Sequence, residues 1–363
     1  MRRILLGILL LVAGCSKKSD PAPTPTVYYP TAATWETVTL ASLGWKESGL
    51  TDLRTWMQGN GSRAVLVLVN GKIAIEEYAG KELTTANSFS ANSFWYWASA
   101  GKTLTSALVG IAEGEGKINL QAKTSDYLGT GWTSLTPDQE AKITVLHQLT
   151  MTTGLEDYAT ANPSGDTDCT TPACLIYKAD AGTRWAYHNA AYTLLDGVIT
   201  TATGKTINSY ASDKLLKPIG MDGSYFKSGY NNVFYSSARS MARFGLLLLS
   251  DGKWDGTTVI PAAYVSKMKT TSQSFNQSYG YLTWLNGKAS FMVPQSQVVV
   301  PGALCPGAPA DMFTALGKNG QILNVVPSLG LVVLRMGDSS ENGLVSFTVG
   351  NELWAKLNPI IGR

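Results

Sequence analysis

The chain has 363 residues, 44% of them hydrophobic and only 15% charged, with a formal net charge of +3. Arg2 and Arg3 supply two of those excess charges, and no basic run occurs elsewhere, which argues against a nucleic-acid partner. The length is enough for one large core or two closely joined lobes, and no internal repeat is visible.

At the N-terminus, Arg2 and Arg3 precede an apolar run from Ile4 to Ala13 and small residues before Cys15. This is the layout of a secretory signal over residues 1–14, and the run is too short to span a membrane. Val12-Ala13-Gly14-Cys15 resembles a bacterial lipobox, in which the signal is cut before the cysteine and that cysteine carries lipid. Cys15 is thus the expected lipidation site and a membrane the expected partner at that end. An ordinary signal peptide with a chance cysteine is the alternative. Ser16 leans towards the outer membrane, so an exported, periplasm-facing lipoprotein is expected. Residues 15–34, rich in proline and threonine, read as a flexible tether, leaving 35–363 as the folded domain.

Residues 63–80 form two β-rich runs around Asn70-Gly71, the dipeptide best suited to a tight hairpin. Next comes SFWYWASAGKTLTSALVGIAEG (92–113), where Phe94 to Trp97 precede apolar residues at helical spacing, so a helix is expected with Ser99 in its first turn. The stretches 143–154, 189–204, 207–221 and 237–252 also carry helical periodicity, with glycine or proline at their exits. Between the first two lies a polar loop, 156–182, whose Cys169 and Cys174 are a plausible disulfide in an oxidising compartment, with Cys305 left over. A zinc site is not expected, because the chain has only His147 and His188 and neither has ligand spacing to the cysteines. Strands return at 278–287 and 312–337, and 349–360 closes as an amphipathic helix. The expected class is α+β: an antiparallel sheet built from both chain ends, flanked by helices, with a mostly helical middle lobe.

Ser-x-x-Lys occurs four times, at Ser99, Ser224, Ser250 and Ser266, so the spacing alone chooses nothing. Only Ser99 opens a helix behind a bulky apolar wall. There Lys102 lies beside Ser99 on the helix surface, and unpaired N–H groups at the helix start favour an oxyanion. The aromatic wall would supply the desolvation that lowers the lysine pKa and makes Lys102 a proton acceptor near neutral pH. A serine N-cap with an exposed lysine is the plainer alternative. Two further triplets decide between them: Tyr187-His188-Asn189 at a helix start and Lys318-Asn319-Gly320 at a turn between apolar runs. Tyr230-Asn231-Asn232 and Lys227-Ser228-Gly229 match the same short patterns, so the order and placement of the three elements carry the weight.

With these elements the chain resembles the serine β-lactamase and penicillin-binding-protein superfamily, and within it the class C β-lactamase-related esterases and peptidases. The likeness extends over most of residues 40–355, including LTMTTGLEDY, AYHNAAYTLLDGVI, LLKPIGM and GKNGQILNVVPSLGLVVLRMG. It implies Ser99 as acylated nucleophile, Lys102 as its proton partner, and Tyr187 as a base or acid for the leaving group, its pKa lowered between two lysines. It further implies that Asn189 positions Lys102 and a substrate carbonyl, that Lys318 holds a substrate carboxylate, and that the backbone N–H groups of Ser99 and Gln321 form the oxyanion hole. Asn319 stands where the family has a hydroxyl residue, and His188 fills the middle of the tyrosine motif. No cofactor is implied. The substrate would be a small ester, a β-lactam or a D-amino-acid peptide, with the discriminating surface in loops 156–182 and 287–312.

Two rivals differ in kind. A Ser-His-Asp hydrolase would need a nucleophile motif such as G-x-S-x-G, which the chain lacks, and a catalytic histidine; His147 reads as a satisfied helix histidine and His188 as a candidate pocket residue. A β-lactam- or peptidoglycan-binding sensor would keep the same pocket with slow or no turnover.

Overall fold

A computed structural model describes residues 26–363 apart from 32, 159, 160, 162 and 342. The expected signal segment and Cys15 lie outside the described residues. In chain order the elements that build the frame are α1 (Leu50–Gly59), β1 (Ser62–Val69), β2 (Lys72–Tyr78), β3 (Phe94–Tyr96) and α2 (Gly101–Gly114). There follow α3 (Asn189–Thr193), α4 (Leu195–Thr203), β4 (Ser224–Ser228), β5 (Asn231–Ser237) and α5 (Ala238–Leu249). The last are β6 (Trp284–Leu285), β7 (Phe313–Gly317), β8 (Gln321–Val326), β9 (Leu331–Gly337) and α6 (Phe347–Ile361).

A six-stranded antiparallel sheet has the order β2-β1-β9-β8-β7-β6. The two chain ends meet where β1 pairs with β9, with Val65 opposite Arg335 and Leu66 opposite Leu334. This is the α+β arrangement expected from the sequence. The central strands read as largely apolar runs because both faces are covered. On one face Gly245 of α5 lies against Val332 and Leu323; on the other Gly350 of α6 lies against Ile322. The Asn70-Gly71 hairpin is tight, with φ of 47° and 86°. Gly71 is forced twice over, since a Cβ there would also sit 1.8 Å from the Tyr28 carbonyl oxygen.

That contact corrects the tether boundary. Residues 27–31, expected to be flexible, are docked: the Tyr28 N–H donates to the Asn70 carbonyl at 2.9 Å, Val27 and Tyr29 pack on the core, and Arg243 donates to the carbonyls of Pro30 and Thr31. Apolar side chains at 27 and 29 draw this segment onto the domain despite its proline-rich surroundings.

The middle lobe is helical in shorter pieces than its periodicity suggests. Of 143–154, only Val145–Leu149 is helical, closed at its start by a reciprocal capping box between Thr144 and His147. His147 is thus a satisfied helix histidine. Met151 then enters the left-handed region at φ 57°, which no helix continues through. A π-helical turn, Ser212–Leu216, interrupts 207–221. The expected strand at 278–287 shrinks to β6. A second sheet not foreseen as such, β3-β5-β4, carries the aromatic run.

Candidate active site

The aromatic run is a strand, so its side chains alternate between faces rather than forming one wall. Trp95 and Trp97 are buried; Phe94 points outward and is 45% exposed. Trp97 fixes the exit of β3: its N–H donates to the Phe234 carbonyl at 2.8 Å and its Nε1 to the Ser236 hydroxyl at 2.8 Å. The chain then reverses through Ala98, whose φ of 46° is strained for a residue with a Cβ. A single 3-10 turn, Ala98–Ala100, presents Ser99 immediately ahead of α2.

From the other end of the sequence β7 slides beneath this turn. A Cβ on Gly317 would lie 2.5 Å from the Trp97 carbonyl oxygen, 2.9 Å from the Ala100 nitrogen and 3.1 Å from the Ser99 nitrogen. Only glycine permits that approach. Gly317 is therefore the residue of this strand pair whose backbone abuts the Ser99 amide. Neither Gly317 nor Gln321, the latter expected to supply an oxyanion-hole N–H, is among the residues lining the cavity. Gln321 is fully buried, and its side chain clamps Gly337, donating to that carbonyl at 2.6 Å and accepting from that N–H at 3.1 Å.

Lys102 Nζ donates to Ser99 Oγ at 3.0 Å. The ammonium is buried against the rings of Tyr192 and Tyr187, 4.2 and 5.0 Å from their centroids. Burial pushes its pKa down to about 7, with the Asp168 carboxylate opposing. These tyrosines, rather than the Phe94–Trp97 run, are the aromatic rings that enclose the amine.

Tyr187 stacks on Trp284 with centroids 5.9 Å apart, and its hydroxyl has no hydrogen-bond partner of normal geometry among the described residues. Burial raises its pKa well above the ordinary phenol value, opposed by the Ser99 hydroxyl. The expected lowering between two lysines is not found. Lys102 has itself lost much of its charge to burial, and no lysine acts against the desolvation of the phenol.

Asn189, the first residue of α3, is 8% exposed, lines the cavity and leaves its Oδ1 without a donor. His188 caps the same helix, its Nδ1 accepting from the Ala191 N–H at 3.3 Å. Burial lowers its pKa to about 4; neither His188 nor Tyr187 is among the residues lining the cavity, and the His188 ring is engaged as the helix cap. Lys318 lines the cavity; Asn319 and Gly320 do not. Asn319, at φ 62°, donates through Nδ2 to the Tyr96 hydroxyl at 2.8 Å, and the Gly320 N–H donates to the Ser346 hydroxyl at 2.8 Å.

The resulting cavity of about 190 Å³ brings Ser99, Lys102, Asn189 and Lys318 together with Tyr192, Asn231, Asn232 and Asp168. Asn231 and Asn232 belong to the second Tyr-x-Asn match, which reads as a decoy in sequence yet sits on β5 against the same cavity. Asn231 accepts from the Thr193 hydroxyl at 2.8 Å, and Asn232 donates to Asp196 at 2.5 Å. Burial lifts the Asp196 pKa to about 7. A further residue missed in sequence is Arg335, fully buried on β9, which donates to the Asn319 and Gly320 carbonyls at 3.1 and 2.8 Å and so sets the turn that carries Lys318. Its signal was an arginine inside the apolar run LVVLRMG. Cys169 and Cys174 are joined by a disulfide beside Asp168, and Cys305 is buried and free.

The sequence profile of the beta-lactamase family matches residues 54–342. No curated protein matches the chain. Among solved structures, the chain is similar to a penicillin-binding-protein homologue from Caulobacter crescentus at 13% identity and a TM-score of 0.67, covering 87% of this chain and 96% of that one. It is also similar to a family VIII carboxylesterase at 14% identity and a TM-score of 0.64, covering 89% and 98%. A third likeness is to an octameric penicillin-binding-protein homologue from Pyrococcus abyssi, at 15% identity and a TM-score of 0.64, covering 89% and 78%.

Proposed function

The chain belongs to the beta-lactamase family and has its serine-hydrolase fold, and from that premise we propose that it cleaves a carboxylic ester or amide through a covalent acyl-enzyme on Ser99. The observation that carries this is the 3.0 Å contact between Ser99 Oγ and a lysine amine whose pKa burial has brought to about 7. Neutral Lys102 takes the hydroxyl proton as Oγ bonds to the substrate carbonyl carbon. Negative charge on the carbonyl oxygen is met by the Ser99 N–H and the adjoining β7 backbone at Gly317. The bond to the leaving group breaks as that group takes a proton from Tyr187, whose raised pKa keeps it an acid, and the phenolate recovers a proton from the Lys102 ammonium. Water then attacks the acyl ester, releasing the acid and regenerating Ser99. Asn189, which lines the cavity with an Oδ1 that accepts no hydrogen bond among the described residues, orients the substrate, and Lys318 binds a substrate carboxylate where one is present.

A panel of chromogenic short-chain esters, a chromogenic cephalosporin and a D-alanyl peptide, run with wild type and Ser99→Ala, tests the reading. Turnover surviving in the mutant removes the nucleophile assignment, and an intact-mass adduct at Ser99 that persists for hours identifies a sensor instead.

We further propose that the protein is an exported lipoprotein anchored through Cys15 and facing the periplasm. Radiolabelled palmitate incorporation, expected in wild type and absent in Cys15→Ala, checks this.

A further inference from the structure

Two ionisable side chains in the cavity form no ion pair among the described residues. Asp168, from the loop that leads to α3, lines it with one carboxylate oxygen buried and accepting no hydrogen bond among the described residues. Lys318, from the β7–β8 turn, lines it as well. Neither belongs to any ion pair among the described residues. A shielded carboxylate oxygen without a donor is costly and calls for a compensating ligand. The resident cation nearest in kind cannot serve, because the Lys102 amine is committed to Ser99 and burial removes much of its charge near neutral pH. Asp168 is nevertheless held in place: its N–H donates to the Asp166 carboxylate at 2.8 Å, and Cys169 of the disulfide follows it directly.

We propose that Asp168 selects substrates bearing a primary ammonium group, so that the cavity favours aminoacyl esters or amides over neutral or purely anionic ones. With Lys318 on the same cavity, a zwitterionic substrate would satisfy both charges at once. The inference rests on the hydrolase reading above and names the substrate class for it. A charge-assisted contact of this kind is worth about ten- to hundredfold in kcat/KM.

The test uses pairs of substrates that differ only in a free or N-acetylated amine. One pair, aminoacyl p-nitroanilides, carries the amine in the acyl half; the other, butyryl amides of a short diamine, carries it in the leaving half. p-Nitrophenyl butyrate is the neutral reference. At least one free-amine substrate is expected to outpace its acetylated twin by about ten- to hundredfold. Asp168→Asn should bring that ratio to near unity and Asp168→Glu should keep part of it. In wild type, n-butylammonium should inhibit butyrate ester hydrolysis competitively, more weakly in Asp168→Asn, with thermal melts confirming that the variants fold. An amine preference that is absent, or that survives in Asp168→Asn, overturns the proposal. So does an equal loss on p-nitrophenyl butyrate and the amine substrate, which would make Asp168 a positioning residue acting through Lys102. If wild type shows no Ser99-dependent turnover even of the neutral ester, the hydrolase reading itself falls. If Ser99-dependent turnover is present without amine preference, only the Asp168 assignment falls.

Discussion

The turn that carries Ser99 and the loop that carries Asp168 face one cavity but are held by different means. Trp97 pins the first with two hydrogen bonds from a fully buried indole-bearing residue, and Gly317 packs backbone to backbone beneath it. The second lies outside both sheets and is secured by one disulfide over five residues of sequence separation and by single hydrogen bonds to other loops, such as Tyr158 to the Gln295 carbonyl and Ser134 to the Leu175 carbonyl. Where atoms must be placed to within a fraction of an ångström, the fold uses packing against strands from both chain ends; where a ligand is to be sorted, it uses a loop.

This contrast can be broken at the turn first. Ser99→Ala should abolish turnover, a loss of about a thousandfold or more in kcat with little change in melting temperature. Gly317→Ala should be next: its Cβ has no space among backbone atoms, so kcat should fall about a hundredfold and stability by about 2 kcal/mol, read by kinetics and denaturant unfolding. Arg335→Met, two strands further along the sheet, should cost about 3 kcal/mol by leaving the buried Gly320 carbonyl without its donor, and should raise KM for carboxylate substrates more than for neutral ones. A pH profile sharpens the picture without mutation. The free Lys102 amine is the acting form, so kcat/KM should rise with pH through about 7 and fall away below it, because burial has depressed that pKa from 10.5. Smallest of all, Cys169→Ala with Cys174→Ala should loosen only the loop, raising KM while kcat changes less than about twofold.

Much of this was readable where the information is local. Ser99 and Lys102 are one helical turn apart, and Asn70-Gly71 encodes its own turn. The sheet class followed from strands at both ends of the chain. What stayed hidden depends on tertiary approach. Nothing next to Gly317 in sequence says that Trp97 and Ser99 will lie over it. Nothing near Asn231 says that a second Tyr-x-Asn match will face the same cavity as the first. The expected phenolate at Tyr187 failed for a related reason: in sequence the lysines count as charges, whereas in the fold burial alters both the phenol and the amine. The resemblance put an oxyanion-hole N–H on Gln321, and nothing in the sequence says that Gly317, its partner across the hairpin, is the residue lying against the Ser99 amide.

The docking of Tyr28 onto the Asn70 turn ties residue 28 to the folded body. With anchoring through Cys15 as proposed, only about a dozen residues remain to bridge bilayer and enzyme, a contour of at most about 40 Å. The catalyst would then be able to swivel on a short leash but never drift from the membrane, so its working volume would be a thin shell in which substrates diffusing along the surface are sampled far more often than those in bulk.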